Sequence, residues 1–241
     1  GGPVGSLNEM FFFNNVAESL DDNLKMLDKL GGVETNNHYP WGWANAGNTP
    51  FRRWKRETYR GGTTDPFVIS WPKGIQAHGE VRTHYTHAID MVPTVLEALG
   101  IEAPESVRGV SQAPIDGVSF AHTFNEVAAP SNHHTQYFEM FGHRAIYHDG
   151  WRAVCPWPGR SFTEAAKKDR RFGTPIDNQV LLDIETHDWE LYNLDEDYSE
   201  CHNLAGERRD KLIEMIGRWW AEAGKYQVLP IDGSALQRLN V

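Results

Sequence analysis

The sequence predicts an α/β chain in two parts: a loop-rich α/β portion over 1–125, then a small antiparallel β-sheet subdomain packed by a C-terminal helix over 126–241. Three observations carry this. An apolar run, Phe67-Val68-Ile69-Ser70-Trp71, has the character of a buried strand and is followed by a helical pattern over 86–99. Short alternating segments at 136–140, 144–148 and 151–155 are strands by pattern, the last two joined by the hairpin dipeptide Asp149-Gly150. Leu212, Ile213, Ile216 and Trp220 then mark the inward face of a helix over 206–223, closed by Gly224.

Taken in order, Val16, Leu20, Leu24, Leu27 and Leu30 predict an amphipathic helix over 16–30, stopped by Gly31-Gly32. Residues 33–66 are irregular and rich in Asn, Pro, Gly and Trp. So many aromatics argue against disorder, which favours a binding loop. After the strand at 67–71 comes a turn at Pro72-Lys73-Gly74. The next helix carries Ile89, Val92, Val95, Leu96 and Leu99 on one face and ends at Gly100. Its interior Pro93 predicts a kink or a start delayed to about Asp90. Composition turns loop-like over 126–135, where the boundary between the two parts falls. Residues 156–180 are a polar excursion, and Trp189-Glu190-Leu191-Tyr192 is a further strand.

The 241 residues suffice for one large domain or two modest ones. With 23 basic and 33 acidic residues the formal charge is −10, which argues against a nucleic-acid partner. No run approaches the roughly 18 apolar residues of a membrane span. Cys155 and Cys201 form neither a metal spacing nor a disulfide scaffold. The opening Gly1-Gly2-Pro3-Val4-Gly5-Ser6 has the character of a mid-chain loop, so the chain is expected to be cut from a longer one.

Lys55 is the leading candidate for chemistry. It stands six residues ahead of Gly61-Gly62 and close before a strand, where a lysine supplies a point charge to an anionic group. A solvated loop lysine is the plain alternative, and it is the favoured reading for the neighbouring Arg52, Arg53, Arg56 and Arg60. His38, in the aromatic loop Asn36-Asn37-His38-Tyr39-Pro40-Trp41, is a candidate substrate contact or proton donor, against a structural loop histidine. Trp41, Trp43 and Trp54 either wall an aryl-binding pocket or pack within the loop. His84 and His87 are expected at an interface or a helix cap, and His133 and His134 in solvent. Asp90 and Asp116 are expected to cap and turn the backbone, and Glu190 to end a strand. No metal ligands are assigned, because no carboxylate partner has matching spacing.

Four stretches together resemble one family, the sulfatases of the alkaline-phosphatase superfamily, and most of all its bacterial arylsulfatases. They are Lys55 with Gly61-Gly62, Asp65-Pro66 and Ser70-Trp71-Pro72; the helix His87-Ala88-Ile89-Asp90-Met91-Val92-Pro93-Thr94-Val95-Leu96; the turn Asp116-Gly117-Val118-Ser119-Phe120; and Trp189-Glu190-Leu191-Tyr192-Asn193-Leu194 running on to Glu200 and Asn203-Leu204-Ala205. The resemblance implies the terminal part of an alkaline-phosphatase-like α/β domain followed by the small sheet subdomain. It implies a sulfuric ester hydrolase that acts on aryl sulfate esters, with Lys55 catalytic and sulfate-binding. The family's calcium ion and formylglycine are implied too. The chain has no Cys-x-Pro-x-Arg, no paired Asp near an N-terminal strand and no Asp-Asn-Gly. Nucleophile and metal ligands are therefore expected before Gly1, in an N-terminal half that is this chain's partner, leaving these residues inactive alone. Two alternatives stay open: a non-catalytic module for anions or sulfated carbohydrate, and a phosphate or phosphonate ester hydrolase of the same superfamily.

Overall fold

The computed structural model describes residues 19–37, 39–76, 79–156, 179, 182–183 and 188–231. The first helix, α1 (Leu20–Lys25), is capped by Ser19, whose hydroxyl accepts the Asp22 N–H at 3.1 Å. It covers only part of the predicted 16–30 span and continues as a 3-10 turn at Leu27–Lys29. Residues 16–18 lie outside the described residues. The stretch expected to be irregular, 33–66, contains two short helices, α2 (Trp41–Asn48) and α3 (Arg60–Thr63).

The expected buried strand at 67–71 is overturned. Its residues are exposed, Val68 by 86%, and no described strand pairs with them. Extended backbone becomes a strand only when a neighbour takes up its N–H and C=O groups. The following helix, α4 (Met91–Leu99), is preceded by a 3-10 turn at Ala88–Asp90, so the late start implied by Pro93 is what the backbone does. Gly100 ends it at φ 64°, a left-handed conformation that glycine adopts without steric cost. Its apolar face is not packed as expected. Val92, Val95 and Leu99 are exposed, and the buried residue of α4 is Thr94, whose Oγ1 accepts the Phe120 N–H at 3.1 Å.

After the minor hairpin β1 (Ser106–Val107) and β2 (Val110–Ser111), the chain builds its main sheet. Strands β3 (Thr135–Met140), β4 (His143–His148), β5 (Trp151–Cys155) and β6 (Glu190–Asn193) lie in the order β3-β4-β5-β6, antiparallel throughout. The turn between β4 and β5 places Asp149 at φ 42° and Gly150 at φ 80°, the two left-handed positions that the Asp-Gly signal calls for. The long helix α5 (Arg209–Lys225) covers one sheet face.

The sheet has two buried faces. Ile146, Ala153, Cys155 and Leu191 meet Leu212, Met215, Trp219 and Ala223 of α5. Ala145, Val154 and Tyr192 alternate onto the opposite face and pack around Tyr59. The inward stripe of α5 differs from the expected one: Ile213 is 59% exposed and Trp220 lies at the surface, while Met215 and Trp219 go inside. Both stripes are apolar, and a partner for the indole decides between them. The Trp219 Nε1–H donates to the Phe138 carbonyl at 3.1 Å. The helix also runs through Gly224 to Lys225.

Candidate functional site

The lysine loop, 52–63, lies on the sheet face opposite α5. Its backbone folds back so closely at the Gly-Gly pair that no side chain fits there. A Cβ on Gly61 would lie 2.1 Å from the Arg53 carbonyl oxygen, and one on Gly62 would lie 2.0 Å from that of Glu57. Gly61 N–H donates to the Arg52 carbonyl at 3.0 Å, and the Asn48 amide of α2 donates to the carbonyls of Arg53 at 2.8 Å and Gly61 at 2.7 Å. Arg53 and Arg56 take the left-handed φ values of 66° and 89°, which non-glycine residues hold only when their surroundings fix them.

Two clasps hold the loop, one buried and one partly exposed. Arg152 of β5, almost wholly inaccessible, sets its Nε 2.9 Å from Glu200 Oε1, an ion pair by proximity because the N–H does not align with that oxygen. Its Nη2 donates to the Thr58 carbonyl and, at 2.9 Å, to Thr63 Oγ1. Glu200 turns its other oxygen to the Arg60 N–H at 2.8 Å. At the near end of the loop, Arg52 donates to Glu190 at 2.9 Å and to the Tyr192 hydroxyl at 3.0 Å, and lies over the Tyr59 ring at 4.4 Å. Burial, and then the Glu190 charge, push the Tyr59 phenol far above its ordinary range, so it stays protonated.

The basic loop is thus not the solvated run that the sequence favours. Arg52 and Arg60 are tied to the sheet and to the 198–200 turn. Arg56 lies over the Phe141 ring at 5.5 Å. Lys55 differs. It is exposed at the loop tip, and among the described residues it has no hydrogen-bond or ion-pair partner. A cavity of about 480 Å³ opens beside it, lined by Asn45, Thr49, Arg52, Arg53, Trp54 and Glu190 among others, but Lys55 is not part of that wall. His38, the second expected substrate contact, lies outside the described residues. Trp41 and Trp54 pack at 6.1 Å, whereas Trp43 points to solvent.

Sequence reasoning missed His133. Expected in solvent, it is buried, with Nδ1 2.8 Å from both Asp90 oxygens and Nε2 3.1 Å from the Thr135 carbonyl. Both partners only accept, so both ring nitrogens donate and His133 is an imidazolium. Burial opposes that charge, but the Asp90 bonds outweigh it and raise the His133 pKa. Burial would likewise raise Asp90, yet His133 and the N–H groups of Val118 and His87 hold its pKa down. Asp90 therefore closes the capping box of the 3-10 turn ahead of α4 and also joins it to the 116–118 turn and, through His133, to the start of β3. His143, buried in β4, behaves oppositely: burial, then Arg56, Arg53 and Arg144, pull its pKa down to about 4.

Among the described residues no group of three His, Cys, Asp or Glu is arranged to hold a metal ion. Cys155 is fully buried under Arg144, 3.2 Å from its Nη2, and so is no accessible precursor for formylglycine. The described residues fit neither cofactor.

Comparison with known proteins matches this architecture. Residues 52–153, which hold the lysine loop, α4, strands β3 and β4 and the start of β5, match the family model described as N-sulphoglucosamine sulphohydrolase, C-terminal. An uncharacterized sulfatase of Schizosaccharomyces pombe is 27% identical, covering 80% of this chain and 31% of that protein. An arylsulfatase of Klebsiella aerogenes is 29% identical over 46% of this chain and 24% of its own length. Human N-sulphoglucosamine sulphohydrolase is 24% identical over 79% and 43%. The crystal structure of Ps i-CgsB shares the fold at a TM-score of 0.52 and 20% identity, covering 80% of this chain and 36% of that one. The chain thus spans from a quarter to under a half of the length of these relatives. The chain is similar to the C-terminal portion of sulfatases and shares its fold with a solved structure.

Proposed function

We propose that this chain is the C-terminal part of a sulfuric ester hydrolase of the arylsulfatase type, and that Lys55 is the ammonium that meets the sulfate group. The observation that carries the reading is the contrast within one loop: Arg52 and Arg60 are clasped to the protein, while Lys55 is held out with no described partner. Sulfuryl transfer places negative charge on the non-bridging oxygens, and a positioned ammonium offsets it. His38, just ahead of α2, is the second proposed substrate contact. In this reading residues 1–125 complete the α/β catalytic domain and 126–241 form the sheet-plus-helix subdomain. The formylglycine nucleophile and calcium ligands belong to a part of the same enzyme that precedes Gly1.

The exposed apolar surfaces support that division. The extended run at 67–71 and the outer face of α4 leave Phe67, Val68, Val92, Val95 and Leu99 in solvent, a surface suited to burial against further protein. The assay is hydrolysis of 4-nitrophenyl sulfate. The 241 residues alone are expected to give no turnover, and the same residues joined to the preceding part to give it. Calcium-dependent hydrolysis by the isolated chain would overturn the assignment of parts.

A further inference from the structure

Lys55 is aimed by the turn it stands on. The Glu57 N–H donates to the Trp54 carbonyl at 3.1 Å, closing a four-residue turn with Lys55 second and Arg56 third. Arg56 has a φ of 89°, whereas the φ of Lys55 is not positive. This is the backbone of a type II turn, whose third position ordinarily takes glycine or asparagine because other side chains are strained there. The docking that follows accounts for an arginine at that position. Arg56 lies over the Phe141 ring at 5.5 Å, Glu57 comes within 3.8 Å of His143 Nδ1, and the Thr58 hydroxyl donates to the Arg144 carbonyl at 3.1 Å. Three successive loop residues thus meet the β3–β4 hairpin in sequence order, from the exposed Lys55 down to the buried Glu57 and Thr58. Phe141 is itself held. With Gly142 it forms the hairpin turn at φ 53° and 90°, and the Gly142 N–H donates to Glu139 at 2.8 Å. Gly62 closes the other side, where a Cβ would lie 2.7 Å from the Trp54 carbonyl oxygen.

We propose that Arg56 is a positioning residue for Lys55: its side chain on Phe141 keeps the turn in the strained form that aims the ammonium. The role rests on the reading of Lys55 as the group that meets the sulfate. A type I turn closes the same hydrogen bond with a negative φ at its third position, and an L-residue freed from its anchor relaxes toward it. That change turns over the peptide joining Lys55 to Arg56. The ammonium stands at the end of a long flexible stem, so a small rotation at the lysine backbone swings it away from a fixed sulfate oxygen.

The test is kcat for 4-nitrophenyl sulfate in the enzyme that contains this chain, measured for Arg56→Ala, Arg56→Gly, Lys55→Ala and the double variant Lys55→Ala/Arg56→Ala. Alanine removes the anchor and keeps the strain, so Arg56→Ala should lower kcat about tenfold or more, as misplacing a group at a reacting centre does. Glycine removes the same guanidinium but adopts the left-handed backbone without strain, so Arg56→Gly should stay within about twofold of the parent. In the Lys55→Ala background Arg56→Ala should cost nothing more, because its effect passes through the lysine. Urea unfolding checks that each variant is folded in the assay. Equal losses in Arg56→Ala and Arg56→Gly, a parent-like kcat in Arg56→Ala, or an undiminished further loss in the double variant would each overturn the role. Should Arg56→Ala fail to fold, a parent-like kcat in Arg56→Gly supports the role and a loss of about tenfold overturns it. A Lys55→Ala enzyme that keeps the parent kcat overturns the sulfate reading of Lys55 and the positioning role with it, whereas the other failures leave that reading standing.

Discussion

Replacing Glu200 by alanine is expected to lower the unfolding free energy by about 3–5 kcal/mol, the usual penalty for removing one partner of a buried ion pair. The Arg152 guanidinium would be left in the interior with its charge uncompensated, bonded only to the Thr58 carbonyl and Thr63 hydroxyl. The Arg60 N–H would lose its acceptor at the same time. Urea unfolding of the 241-residue chain reads this directly. A double variant with Arg152→Met should recover part of the loss, because an apolar side chain of similar length leaves no buried charge behind. A cost below about 1 kcal/mol for Glu200→Ala would mean that the pair is solvated and does not clasp the lysine loop.

The second large effect concerns Asp90. Asp90→Asn is expected to cost about 3–5 kcal/mol near pH 5–6, since it strands the His133 imidazolium among acceptors it can no longer neutralise. The sign follows from the two shifts. The folded pKa of His133 is raised above its ordinary 6.5, so its contribution is complete below that value and fades as pH rises through the raised one. The folded pKa of Asp90 is held below its ordinary 3.8, so its contribution is complete above that value and fades as pH falls through the lowered one. The pair is therefore worth most between those limits, and the penalty of Asp90→Asn should shrink on the alkaline side. Comparing parent and variant at each pH removes the contributions of other histidines. Among these, His87 lies 6.1 Å from His133 ring to ring, and its pKa is lowered by burial and by His133. In an NMR titration the His133 ring should titrate above 6.5 and the His143 ring near 4. A His133 midpoint below 6.5 would refute the imidazolium assignment.

What was legible in the sequence follows from how local its causes are. Asp149-Gly150 dictates its hairpin because the two left-handed positions lie in the dipeptide itself. Pro93 moves the start of α4 by the same kind of local argument. Gly61-Gly62 marks the lysine loop, yet only coordinates show the carbonyls of Arg53 and Glu57 pressed against it. Helix α2 was not legible: Trp-Gly-Trp-Ala-Asn-Ala-Gly-Asn has two glycines and no buried residue, so no apolar stripe announces it. The inward face of α5 slipped because neighbouring stripes are equally apolar and a bond to a distant carbonyl breaks the tie. The clasps were the least visible. Arg52 meets Glu190 across 138 positions and His133 meets Asp90 across 43, so neither pair leaves a spacing that a sequence reader can use. Each of these side chains has an ordinary solvated reading when taken alone.

We propose that the loop is braced on the sheet so that the Lys55 ammonium is available to a sulfate ester. The measurement that tests it most directly is the turnover number of Lys55→Ala in the enzyme containing this chain, assayed with 4-nitrophenyl sulfate. Lys55 is exposed and has no described partner, so the variant should unfold within about 0.5 kcal/mol of the parent. Its kcat should fall about 10²–10³-fold, the loss typical of removing one preorganised group from a developing anion. A stable variant that keeps the parent kcat would contradict the account.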